Sequence, residues 1–259
     1  MILKTKITFK PKTPYTLNLE PFTRMKDLFG KAILDYQTGN SPQDLITETS
    51  ISEPDDMSVA YLFRSFAEMP AMEQKALELA QGKTLDVGCG AGSHSLYLQN
   101  EKNLAVTAID ISTNAIEACK LRGLKDARVQ DIMALEGEKF DTILLLMNGA
   151  GMCGKLKNMT VFLQKLKSLL NENGQVLLDS SDIIYMFDED EDGGKWIASD
   201  EEYYGEVVFN IQYKGQKEDP FHWLYIDFNT LQNAAHAAGL QCQLVLEGEH
   251  YDYLAKLSR

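Results

Sequence analysis

A doubly wound α/β fold is what the sequence predicts, and three observations predict it. From Thr84 onward, short apolar runs alternate with stretches whose apolar residues recur at helical spacing, the pattern of a parallel sheet wrapped by crossover helices. The stretch KTLDVGCGAGSHSLYL, residues 83–98, carries an apolar run to an acid and then places three glycines at every second position before a helical pattern begins. Acids recur at the ends of the next two apolar runs, at Asp110 and Asp131.

Taken in order, the candidate strands are 84–87, 105–109, 127–130, 142–147 and 175–178. Between them SHSLYLQN, STNAIEACKLRG and NMTVFLQKLKSLLNENG repeat apolar residues at helical spacing, and Asn173-Gly174 is the expected stop of the last helix. After Asp179 the texture changes. The acidic run Asp188–Asp192 reads as a solvated loop, and GEVVFNIQYKG and FHWLYIDF read as two strands joined by a polar turn, an inserted hairpin spanning residues 181–227. The chain returns through NTLQNAAHAAG, a helix with Asn229 or Thr230 expected as its N-cap, and LQCQLVLEGEHYDYLAKL supplies two closing strands with an antiparallel edge.

Upstream, residues 25–82 read as a helical cap. Helical patterns cover 26–36 and 57–80, separated by the polar TGNSPQDLITETSISEPDD. Residues 1–24 show no strong pattern and are expected to be a disordered extension, with Met25 a candidate start and Lys4, Lys6, Lys10 and Lys12 a solvated basic tail. Residues 83–259 then form the principal domain.

Composition narrows the function. The chain has 259 residues, 44% of them hydrophobic, enough for one sizeable core, and a formal net charge of −13. That charge repels phosphate backbones, so no nucleic-acid partner is expected. Cys89, Cys119, Cys153 and Cys242 show no metal-ligand spacing and read as reduced thiols. No apolar run approaches the length of a membrane span and the N-terminus lacks the apolar middle of a signal peptide, so a cytoplasmic protein without a membrane partner is expected.

The glycine turn limits the ligand. Glycines at the junction of strand and helix let a ligand approach the backbone beside the positive helix end. No Gly-Lys-Ser/Thr follows, which excludes the P-loop, and Gly88, Gly90 and Gly92 give GxGxG rather than the dinucleotide fingerprint GxGxxG. Asp86, just before the turn, suits a cation better than a pyrophosphate. S-adenosylmethionine (SAM) carries such a cation in its ammonium and sulfonium groups. Asp110, twenty positions after Gly90, is placed to accept from ribose hydroxyls, and Asp131 from the adenine amino group, with Ile111 and Ile132 on either side of the ring. Tyr61, Arg64 and Glu68 would share a helical face upstream, and Arg64 is a candidate partner for the SAM carboxylate.

The successive stretches LDVGCGAGSHSLYL, VTAIDIS, VQDIMAL, FDTILLLMNGAG and LLNENGQVLLDSSD resemble the motifs of class I SAM-dependent methyltransferases over residues 84–182. The resemblance implies a Rossmann-like seven-stranded sheet with its last strand antiparallel and SAM lying across the strand carboxyl ends, leaving as S-adenosylhomocysteine (SAH). Carried over, Gly88, Cys89 and Gly90 would approach the methionine moiety, Asp110 would hold ribose, Asp131 and Ile132 adenine, and Met147 and Asn148 would border the sulfonium and the acceptor. One departure is the stretch MNGAGMCG, where methyltransferases of amide or adenine nitrogens carry an Asn/Asp-Pro-Pro-aromatic motif. No metal triad of the catechol-methylating kind is present, and no metal is expected.

Cys89 reads as a small, packable residue, His94 as a helix-face residue, and His222 and His250 as candidate bases. The expected function is methyl transfer from SAM to a small-molecule acceptor by a monomer or homodimer. A SAM-binding module without turnover, and a protein or RNA methyltransferase, are the alternatives; net acidity opposes RNA.

Overall fold

The computed structural model describes residues 26–187 and 203–259; the expectations for the segment before Met25 and for the acidic run at 188–192 lie outside them. Helix α1, Leu28–Thr38, is followed by the strand pair β1, Leu45–Thr49, and β2, Ser52–Met57. Two 3-10 turns, Val59–Phe63 and Phe66–Glu68, lead to helix α2, Ala71–Leu79. The segment expected to be a helical cap therefore contains strands as well. Its second helix, 9 residues long, is well under half the expected length because Pro70, whose ring and missing N–H cannot sit inside a helix, stands at the N-cap of α2.

The alternating unit follows as β3 (Thr84–Val87), α3 (Ser93–Asn100), β4 (Val106–Asp110), α4 (Thr113–Leu121), β5 (Ala127–Val129), β6 (Phe140–Leu145), α5 (Leu156–Leu169) and β7 (Leu170–Ser181). An inserted antiparallel group comes next, β8 (Glu206–Tyr213), β9 (Gln216–Lys217) and β10 (Phe221–Leu224), and the chain ends with α6 (Phe228–Ala237), β11 (Gln241–Glu247) and β12 (Asp252–Ser258).

Seven strands form one sheet in the order β11-β12-β7-β6-β3-β4-β5. Strands β3 to β7 are parallel, and β12 runs antiparallel to β7, so the last strand is antiparallel as expected. All four residues of β3 are buried, as a strand with helices on both faces requires. The main core lies between this sheet and α5 and α6, with Leu85, Ile143, Phe140, Leu163 and Leu257 at its centre.

Two boundaries differ from expectation for local reasons. Helix α5 ends at Leu169, and Asn173-Gly174 lies inside β7, where the register with β6 slips between Phe140/Leu170 and Thr142/Gln175. Gly174 is needed for close approach rather than as a helix stop, since a Cβ there would sit 2.9 Å from the carbonyl oxygen of Phe140. Helix α6 is capped by Asp227, which accepts from Thr230 N at 3.0 Å, two residues before Asn229 and three before Thr230, the two expected caps.

The second sheet joins distant parts of the chain. Its order is β10-β8-β1-β2, with β9 also on β8, and Ile46 pairs with Gln212. The expected hairpin is thus one half of a sheet whose other half is the polar segment 45–57. Helix α1 connects the layers. It packs on α4 and buries Leu28 against β8 residues Ile211 and Tyr213.

Candidate active site

The turn after β3 is built from backbone conformations that favour glycine. Gly88, Gly90 and Gly92 have φ of +69°, +51° and +80°, the left-handed region where a side chain costs about 1 kcal/mol or more. A Cβ at Gly92 would meet Leu124 at 2.7 Å, so this glycine also serves packing of α3 on the α4–β5 connection.

Asp110 braces the turn from the end of β4. Its Oδ2 accepts from Gly90 N at 3.0 Å and its Oδ1 from Ser112 N at 2.8 Å. A carboxylate has about four acceptor sites, so each oxygen retains one for a ligand. Burial raises the pKa of Asp110 above the ordinary carboxylate range, against the two backbone bonds. Ile111, next in the chain, is 41% exposed, whereas Ile132 is buried in the core beside Val87 and Ile109. The two isoleucines expected to flank one ring thus have unequal access. Asp131 caps the 3-10 turn 132–134, accepting from Met133 N at 2.8 Å.

Asp86 turns behind the glycine loop. Its carboxylate is buried and accepts from Ser95 Oγ of α3 at 2.6 Å, and burial raises its pKa. Cys89 is buried too, its sulfur 3.8 Å from Cys119 Sγ. The Cys119 contact, and then burial, hold its thiol well above the usual range, so it packs as a neutral group.

Arg64 is buried at 7% exposure. Its Nη2 lies on both carboxylate oxygens of Glu73 from α2, its Nη1 donates to Tyr61 O at 2.5 Å, and its guanidinium rests 3.9 Å over the Tyr61 ring. Arg64 Nε is the buried side-chain polar atom with no hydrogen-bond partner among the described residues. His94 is not a free helix-face residue. Its Nε2 lies 2.6 Å from Glu73 Oε2, completing a buried Arg64–Glu73–His94 group. Burial opposes ionisation of Glu73, but the His94 and Arg64 contacts outweigh it and hold the pKa below the ordinary value. Glu68, expected beside Arg64, instead forms a capping box with Ser65.

The fourth part of the site is the turn after β6. Met147 and Asn148 both adopt left-handed backbone, with φ of +62° and +59°. Their N–H groups and that of Gly149 all donate to Asp179 at the end of β7, at 3.0, 2.7 and 3.3 Å. Asp179 is a residue to which sequence reasoning gave no role; only its place in LLNENGQVLLDSSD marked it. Burial pushes its pKa up to about 6.

Beyond this turn stands an aromatic wall. Phe209, Phe221 and Trp223 lie on one face of the second sheet with ring centroids 5.9–6.3 Å apart, and all three are half-buried. The indole of Trp223 lies so close to Gly151 that a Cβ there would come within 2.1 Å of it. The two candidate bases are not brought to this wall. His222 alternates with Phe221 and Trp223 and is exposed, and His250 is exposed in the turn between β11 and β12. Among the described residues no group of three or more His, Cys, Asp and Glu is arranged to hold a metal, and no helix is long and apolar enough to cross a membrane.

Residues 79–237 match the methyltransferase-domain family. The chain belongs to the class I SAM-dependent methyltransferase family. The crystal structure of a SAM-dependent methyltransferase from Bacteroides fragilis in complex with SAH is similar at 46% identity, covering 90% of this chain and 94% of that one with a TM-score of 0.83. Two curated relatives match over shorter stretches. A probable (S)-tetrahydroprotoberberine N-methyltransferase 2 of Papaver bracteatum is 33% identical over 40% of this chain and 30% of its own length. A ubiquinone biosynthesis O-methyltransferase of Xanthomonas euvesicatoria is 31% identical over 40% of this chain and 45% of its own length. The chain thus matches less than half the length of either curated relative.

The family's donor is SAM, and the residues present fit it. The glycine turn presents backbone without side chains of its own, with Met152 Sδ the nearest neighbour, 3.2 Å from the Cβ position of Gly88; Asp110 keeps unused acceptor sites, and the buried Arg64 Nε lacks a partner that a carboxylate would supply.

Proposed function

We propose that this methyltransferase transfers the methyl group of SAM to a small-molecule acceptor held between the turn after β6 and the aromatic wall. The observation that carries this reading is the placement of Trp223 against Gly151, which closes an apolar sheet face over the loop that follows the Met147–Asn148 turn.

In this reading Gly88, Cys89 and Gly90 offer backbone to the methionine moiety and Arg64 Nε donates to its carboxylate. The buried acid of Asp86 stands behind the turn and favours a cation there. Asp110 accepts from the ribose hydroxyls. Asp131 accepts from the adenine amino group, with Ile111 covering the ring from the solvent side and Ile132 from the core side. When bound, SAM supplies a methyl carbon made electrophilic by its positive sulfur. The chain's own work is to align the acceptor behind that carbon and to exclude water. Met147 and Asn148 border the methyl, and the aromatic wall removes solvent from the acceptor. The relatives named for N- and O-methylation agree with a nitrogen or oxygen nucleophile, and net acidity argues against a nucleic-acid acceptor. We place the protein in the cytoplasm, as a monomer or homodimer.

The test is incubation with SAM and a metabolite extract, read by mass spectrometry for SAH and for a species heavier by a methyl in place of a hydrogen. SAH formation tied to one extract component supports the reading. SAH binding without turnover on any extract would leave a binding module, and methylated protein or tRNA would redirect the acceptor assignment.

A further inference from the structure

Two consecutive residues other than glycine in left-handed backbone, Met147 and Asn148, are costly and persist only where their surroundings fix them. What fixes them is one carboxylate. Leu178 pairs with Leu145 across β7 and β6, so Asp179 lies just past the end of β6, where the N–H groups of residues 147, 148 and 149 converge. The next residue extends the link. Ser180 Oγ donates to Asn148 Oδ1 at 2.7 Å and accepts from Ile226 N at 3.0 Å, while Asn148 Nδ2 donates to Leu224 O at 3.3 Å. Leu224 ends β10, the strand that carries Phe221 and Trp223.

We propose that Asp179 is a positioning residue for methyl transfer: its carboxylate holds the Met147–Asn148 turn in the shape that borders the donor's sulfur, and through Ser180 and Asn148 ties that turn to the strand that walls the acceptor. The proposal rests on the reading of Met147 and Asn148 as the sulfonium border. The arrangement gives the chain a reason to bury an acid at the end of an apolar strand, since three backbone donors are best served by a charged acceptor with several lone pairs and the single oxygen of a neutral amide cannot serve all three. Among charged groups on the packed elements, Glu73 of α2 acts on Asp179, and Glu73 is itself paired with Arg64 and His94.

Two measurements test it. Asp179→Asn keeps the shape but replaces one acceptor oxygen by a donor, and SAH affinity of the folded variant, measured by calorimetry at neutral pH, should fall about tenfold, the scale of losing a charge-assisted bond. A merely structural Asp179 would lower the thermal midpoint and leave that affinity within twofold of wild type, which would overturn the proposal. In the unmutated protein, the amide proton shifts of Met147, Asn148 and Gly149 should titrate with one shared midpoint, and saturation with SAH should lower it, because a ligand that needs the ionised brace must favour it. Separate midpoints, or a shared midpoint that SAH does not move, would overturn the proposal without reference to any variant. Failure of the wild type to bind SAH would sink the cofactor reading and this proposal with it, whereas wild-type binding with an indifferent Asp179→Asn would sink this proposal alone.

Discussion

Replacing Asp110 by alanine isolates the part of the site that the turn and the ligand share. In the native protein each carboxylate oxygen already accepts one backbone N–H, from Gly90 at 3.0 Å and Ser112 at 2.8 Å, so ligand hydroxyls would meet an acceptor that is fixed in advance. The substitution removes both ligand bonds and leaves two N–H groups to find water in a half-buried site. Hydrogen bonds to a charged group are worth about 1.5–3 kcal/mol net. The two ribose bonds fall on one carboxylate and are not additive, so this range serves for the pair. SAH affinity should therefore fall about 10- to 150-fold. Calorimetry at one pH reads this directly, with a circular dichroism melt to establish that the variant is folded. A folded Asp110→Ala that binds SAH within twofold of wild type would refute the assignment of the ribose to the end of β4, and binding of NAD in place of SAH by the wild type would refute the reading of the glycine turn.

Arg64→Met should weaken SAH binding while leaving methylthioadenosine, which lacks the amino-acid end, bound as before; equal losses for both ligands would show that Arg64 acts only through the fold. The same variant leaves the buried Glu73 with His94 as its remaining partner, so a stability loss of up to about 3–5 kcal/mol by urea unfolding is expected alongside. Asp179 gives a pH signature. Its folded pKa is raised to about 6 from 3.8, so the stability it contributes is full below about pH 4 and lost as pH rises through 6, roughly 3 kcal/mol in all. The stability gap between wild type and Asp179→Asn should shift by that amount across the window, and parallel pH curves would contradict it. Hydrogen exchange with and without SAH should show β1, β2, β8 and β10 slowing together as a cover over the site; protection confined to residues 84–148 would remove the cover from the mechanism.

The parallel sheet was legible because β3, β4, β6 and the second half of β7 are largely buried and leave short runs rich in apolar residues, and because a left-handed turn at Gly88, Gly90 and Gly92 writes itself as glycine. Met147 and Asn148 carry no such mark. Their backbone shape is imposed by Asp179, a residue remote in sequence, and a single acid at a strand end looks like a solvated one. Strands β1 and β2 were hidden for a related reason. Ser52–Met57 is an almost wholly exposed edge containing Pro54, Asp55 and Asp56, and Leu45–Thr49 is a strand because β8 lies beside it. Arg64 was picked out by position, yet its neighbours were assigned from a helix that Pro70 forbids, and its true partners Glu73 and His94 lie beyond that break.

The pairing of Ile46 with Gln212 also governs when the aromatic wall can exist. On a ribosome the residues of β3 to β6 emerge together and can close their sheet early, but the wall waits for β8 and pays the loop-closure entropy of a long-range contact. A nascent chain would acquire the glycine turn before the aromatic wall. For anyone recombining such enzymes, specificity is then not a cassette: grafting residues 203–227 alone would set a foreign β8 against a resident β1, and the exchange must carry residues 26–63 with it.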